Sequence, residues 1–155
     1  MRLRFLAAGA FFLMQTPGLI RQTVELTYTG ARIILEACVA KALEMGVPQC
    51  VVVVDAGGNL LAFARMDGAK VLSQLSAMQK AQTAASSRVP TGAAPQDFGL
   101  NLALATGGRV TNLKGGLPII HQGAVIGAIG IGSGTGDQDV AVAEAGLAAL
   151  SAQLG

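Results

Sequence analysis

Tryptophan is absent, tyrosine and histidine occur once each, and charged residues make up only 13% of the 155-residue chain. Each shortage excludes something. One histidine and two cysteines, Cys38 and Cys50, cannot supply the three or four ligands of a protein-only zinc site. No Cys-x-x-Cys occurs, and core filling suits both cysteines better than redox work. Basic residues exceed acidic ones by two. They are scattered, without the stripe that a nucleic-acid binder needs. No Gly-x-Ser-x-Gly occurs, and one histidine among dispersed acids gives no nucleophilic triad. The apolar run Phe5–Met14 is too short to span a bilayer, so stable membrane insertion is not expected.

What is present is apolar and glycine-rich: 52% hydrophobic residues and 21 glycines. That is too apolar for a disordered chain, and the length suits one domain. A monomer's surface ordinarily carries more charge. Burial of part of it against sister subunits explains the shortage, so a homo-oligomer is expected. Residues 1–17 read as an N-terminal extension or a signal-like segment, with Arg2 and Arg4 before the apolar run and a Thr16-Pro17-Gly18 break after it. A cytoplasmic protein is expected, with export through that segment as the alternative. Residues 18–155 form the domain proper.

Periodicity predicts a helix over 29–46, where Ile34, Leu35, Cys38, Val39, Ala42 and Met45 share one side and Gly46 and Pro48 supply the stop. Val51–Val54 is a continuous β-branched run, covered on both faces, and a turn at 55–59 returns it through Leu60–Met66. A second helix is expected over 71–87 and a loop over 88–109. A second hairpin turns at Gln122-Gly123, and a closing helix carries Asp137 and Asp139 in its first turn. Hairpins make antiparallel neighbours, so the order predicts a sheet with helices on its faces and not a Rossmann alternation.

The stretch GAIGIGSGTGDQD carries five glycines, at 127, 130, 132, 134 and 136. No frame of it fits Gly-x-Gly-x-x-Gly, and no Gly-Lys-Ser/Thr follows. A phosphate at this helix start would meet Asp137, read as the cap, and Asp139. The glycines are therefore expected to serve backbone geometry, while leaving bare backbone that a ligand can approach.

Several separated segments resemble the GlcG/HbpS haem-degrading-type family. They are VVVVDAGGNLLAFARMDGA, KAQTA at 80–84, GGLPI at 115–119 and VIGAIGIGSGTGDQD with AEAGLAAL beyond it. The resemblance runs from about Gly30 to the C-terminus. It implies a single α/β domain of the profilin-like, three-layer α/β/α kind with a five-stranded antiparallel sheet, and assembly into oligomers. It also implies a small-molecule pocket with haem as the leading ligand. Some members bind haem or other tetrapyrroles, one group is fused to a cobalamin adenosyltransferase, and others sit among catabolic enzymes. Metal-independent catalysis on a small organic acid or aromatic-ring-cleavage product is the alternative.

Lys80 is the leading candidate for the site. Ser73, Ser76, Lys80, Thr83 and Ser87 recur at helical spacing as a hydroxyl-lined face with one cation, fit either for a ligand carboxylate or simply for solvent. Arg88 either adds a second positive group or complements the helix dipole. Arg65 either pairs with Asp67 or faces a ligand acid, and Met66 either packs on a flat ligand or fills core. Gly115 and Gly116 join the ligand-binding set through the shared GGLPI segment. His121, the sole imidazole, is a weak candidate haem ligand or base at a turn. Glu144, among small residues, is read as a buried acid at a subunit contact or a pocket. Lys80, Glu144 and His121 are the acid/base candidates if the protein is an enzyme.

Overall fold

In the computed structural model, residues 18–155 are described. The N-terminal extension or signal-like segment expected over 1–17 lies outside them. Helix α1 spans Tyr28–Met45, and strands β1 and β2 span Cys50–Asp55 and Leu60–Arg65. Helices α2 and α3 follow at Ser73–Ser87 and Gln96–Ala105. Strands β3 (Gly116–His121) and β4 (Ala124–Gly132) precede helix α4 (Gly136–Leu154). The strands form one sheet in the order β2-β1-β4-β3, antiparallel at every pairing. Among the described residues the sheet thus has four strands, which corrects the expected five. Just before α1, Leu26 N donates to Ile126 O and the Leu26 side chain plugs the core, while residues 18–27 form no strand.

The alternation of β1 sorts its side chains onto two faces. Val51 and Val53 pack with Ile129 and Ile131 of β4 beneath α1 and α4, against Ile34, Cys38, Val142 and Leu150. Cys50, Val52 and Val54 face the other way, against Ala77, Ala81, Ala84 and Ala85 of α2. The result is three layers, with two helices on one face and α2 on the other. α1 starts at Thr27, whose hydroxyl accepts from Gly30 N, and stops at Gly46 with φ 67°.

The stretch expected as loop over 88–109 contains α3. Its sequence, QDFGLNLALA, buries only Gly99 and leaves Phe98, Leu100 and Leu104 exposed. With no apolar stripe turned inward, it carries no periodic signal to read. Asn112 holds its approach, accepting from Ala94 N and donating to Ala94 O. Among the described residues, no helix is long and apolar enough to cross a membrane.

Candidate functional site

Lys80 lies on the inner face of α2 and is 4% exposed. Its ammonium donates to Asp139 Oδ2 at 2.6 Å and to the carbonyl of Ile131 at 2.7 Å. Asp139, 1% exposed, accepts from Gly134 N at 3.0 Å through its other oxygen. Burial pushes the Asp139 carboxyl above its ordinary value, against the hydrogen bond and charge of Lys80. The hydroxyl-lined face is therefore a packed face: Ser73, Lys80 and Thr83 are buried, and only Ser87 at its end is exposed. This corrects the expectation of a solvated surface, and the cation expected to meet a ligand carboxylate is paired within the chain with Asp139. Sequence spacing showed the cation but not the carboxylate 59 residues away that takes it up.

Gly115 and Gly116 belong to the same knot. Gly115 has φ 111°, and a Cβ there would stand 2.6 Å from Asp139 Cβ and 3.2 Å from Lys80 Nζ. A Cβ at Gly116 would strike the Lys80 carbonyl. Gly116 N donates to Thr91 Oγ1, and Thr91 N donates to Gly116 O. The segments around Lys80, Gly115-Gly116 and the glycine run thus meet at one buried ion pair. It ties α2, β4 and the first turn of α4 together. Gly130 serves the same packing, since a Cβ there would drive into the α2 backbone at Ala77 and Ala81.

The start of α4 also differs from expectation. Thr135 is the cap, in a reciprocal capping box with Gln138, while Asp137 is exposed and pairs with Lys114 at 3.1 Å. The signal was present as Thr-x-x-Gln. Asp139, expected as a second negative charge in the first turn, does lie there but is turned inward. Beside it, Gln49 is fully buried and its side-chain amide has no hydrogen-bond partner among the described residues.

The remaining candidates lie apart. Arg65 is exposed at the end of β2 and forms no ion pair with Asp67. Its charge opposes the burial that raises the Cys50 thiol. Met66 is half-buried against the core and lines a largely apolar cleft of about 370 Å³ with Val39, Leu43 and Pro48. Arg88 caps α2 in the left-handed region, φ 62°, with its side chain exposed. His121 is half-buried at the β3–β4 turn, opposite Ala124. Glu144 is exposed on α4 within the single chain. The small residue near it, Gly146, packs on Cys38 and Ile34 of α1 within the same chain. No hydrogen bond or ion pair joins any two of Lys80, Glu144 and His121 among the described residues. Cys38, at the same helix contact, is pushed up to about 12 by burial, as suits core filling.

A second cleft, of about 400 Å³, opens between the β1–β2 turn, the C-terminal half of α2 and the segment after α3. Gly57, Gly58, Gln82, Thr83, Thr106 and Arg109 line it. Of the sequence candidates, Thr83 alone reaches it, accepting from Thr111 N at 3.1 Å. Gln82 Nε2 donates to Gly58 O across the cleft's inner edge. Asp55, just before the turn, faces inward to the turn itself. Slight burial acts to raise its carboxyl, but hydrogen bonds from Asn59 and Gly57 outweigh it and hold the group below its ordinary value. Arg109 was not anticipated. Its only sequence signal is a lone cation after a glycine pair.

Comparison with known proteins places this architecture. The family described as haem degrading protein HbpS-like matches residues 26–148. A 15.0 kDa protein of Citrobacter freundii, encoded between dhaT and dhaS, is 39% identical over 136 residues, covering 84% of this chain and 96% of its own. The crystal structure of Klebsiella pneumoniae ORFY superposes with a TM-score of 0.78 at 34% identity, covering 85% of this chain and 95% of that one. A crystal structure of PduOC in complex with haem superposes with a TM-score of 0.74 at 30% identity, covering 81% and 95%. Three of the segments that carry the resemblance, at 80–84, 115–119 and 125–139, meet at the Lys80–Asp139 pair, and the chain belongs to the HbpS-like family.

Proposed function

We propose that this protein binds a small molecule: haem, a related tetrapyrrole or another flat molecule bearing a carboxylate. The observation that carries the reading is the similarity, over four-fifths of the chain, to a domain crystallised with haem. Two clefts of 370–400 Å³ fall in the size range of small-molecule pockets, about 300–1,000 Å³. Thr83 borders one and Met66 the other, while Arg65 and Arg88 are exposed cations within the same chain segments. Lys80, Gly115 and Gly116 act in this reading by positioning: they hold α2 and β3 in place, and the Lys80 charge is already spent on Asp139. Self-association belongs to the same proposal. Its support is the charge-poor composition together with the exposed apolar side chains Val71, Leu72 and Leu75 and, on α3, Phe98, Leu100 and Leu104.

Titration of the purified protein with hemin tests the reading. A saturable shift of the Soret band is expected. A spectrum that only adds free hemin, with no saturation, contradicts it.

A further inference from the structure

We infer that the cleft beside the β1–β2 turn is a carboxylate-reading subsite, with Arg109 as the group that takes the acid. The inference rests on the carboxylate-bearing ligand proposed above and names the residue that recognises it.

The first support is charge. Among the described residues, Arg109 is the only ionisable one lining the cleft, and no carboxylate lines it. Its side chain is exposed and forms no ion pair among the described residues. Asp55, the nearest acid in sequence to the turn, is committed to Gly57 and Asn59. A guanidinium offers a planar pair of donors that matches a carboxylate.

The second support is the backbone around it. The segment 106–111 is tied down on both sides of Arg109. Thr106 Oγ1 donates to Leu102 O and accepts from Val110 N. Gly108 O accepts from Gln79, and Thr111 N donates to Thr83. Gly107 and Gly108 adopt φ of 63° and 79°, which lets the chain turn sharply off α3 into this position. A cation presented by a pinned loop loses less freedom on binding than one on a free loop.

The third support is the wall chemistry. Apart from Arg109, the lining consists of hydroxyls, one amide, glycine backbone and the methyl groups of alanine and valine. Thr83 Oγ1 accepts from Thr111 N and so keeps its own proton to donate. These groups suit one anionic end of an otherwise uncharged molecule.

The carboxylate has two possible sources, a haem propionate or a free small organic acid, and the experiment separates them. Wild type and Arg109→Ala are titrated with hemin, with hemin dimethyl ester, whose propionates are capped, and with benzoate against benzamide. Arg32→Ala, an exposed cation on α1, serves as the charge control. Circular dichroism confirms that each variant is folded. If a propionate is read, Arg109→Ala weakens hemin roughly tenfold or more and leaves the dimethyl ester unchanged. If a free acid is read, benzoate binds wild type, benzamide does not, and Arg109→Ala abolishes the difference. In either case Arg32→Ala matches wild type, and rising salt weakens the Arg109-dependent part. Saturable hemin binding that is indifferent to Arg109, with no benzoate binding, overturns the inference while leaving the haem reading intact. Absence of any Soret shift refutes the haem reading, and the benzoate arm alone then decides the inference.

Discussion

The two faces of the sheet are built on different principles. Beneath α1 and α4, large side chains interdigitate: Ile34, Ile129, Ile131, Val142 and Leu150 fill a conventional core. Beneath α2 the helix offers alanines, Ala77, Ala81, Ala84 and Ala85, to Cys50, Val52, Val54 and Ala128 of the sheet, and the largest buried side chain on that face is a charged one, Lys80. The first face is held by apolar area, which tolerates small volume changes. The second is held by close approach and one ion pair, which tolerate none. A buried pair is weak evidence for stability in itself, because desolvation offsets much of the attraction. What this pair does is specify where α2, β4 and α4 meet.

The largest expected effect is therefore on the α2 side. Lys80→Met strands the Asp139 carboxylate in the interior and should cost about 3–5 kcal/mol in a urea melt. Adding Asp139→Asn, which keeps an acceptor for Gly134 N, should recover most of that loss. If Lys80→Met alone costs nothing, the pair specifies nothing. Next in size, Gly130→Ala should cost about 3 kcal/mol by pushing α2 off the sheet, whereas Ile129→Val on the opposite face should cost only about 1 kcal/mol. Equal costs in thermal melts would erase the contrast between the faces. The smallest effect concerns the turn that borders the Arg109 cleft. The Asp55 carboxyl is held below its ordinary value of 3.8 by its hydrogen bonds. Its contribution to stability is thus present above 3.8 and fades as pH falls through the lower folded value. Asp55→Asn should flatten that part of the acid limb, and an unchanged pH profile would contradict it.

This contrast also explains what was legible in the sequence. The face under α1 and α4 announces itself through apolar periodicity, so α1 was expected over 29–46 and observed over Tyr28–Met45. Val51–Val54 was readable as doubly covered because both faces demand β-branched residues. The α2 face was readable only in part. A lysine among serines and threonines looks like surface when its partner lies in another motif. Alanine and glycine give no hydrophobic contrast to mark an interior. α3 escaped because its apolar residues face outward between Pro95 and the Gly107-Gly108 pair. Arg109 escaped because a cleft formed by a turn, a helix end and a distant loop has no spacing in the chain.

The central claim is that Lys80 shapes the fold while ligand recognition lies elsewhere. Hemin titration of the folded Lys80→Met/Asp139→Asn variant tests it most directly. A Soret titration matching that of wild type is expected. A variant that melts like wild type yet no longer shifts the Soret band would contradict it, and would return the ligand's acid to Lys80.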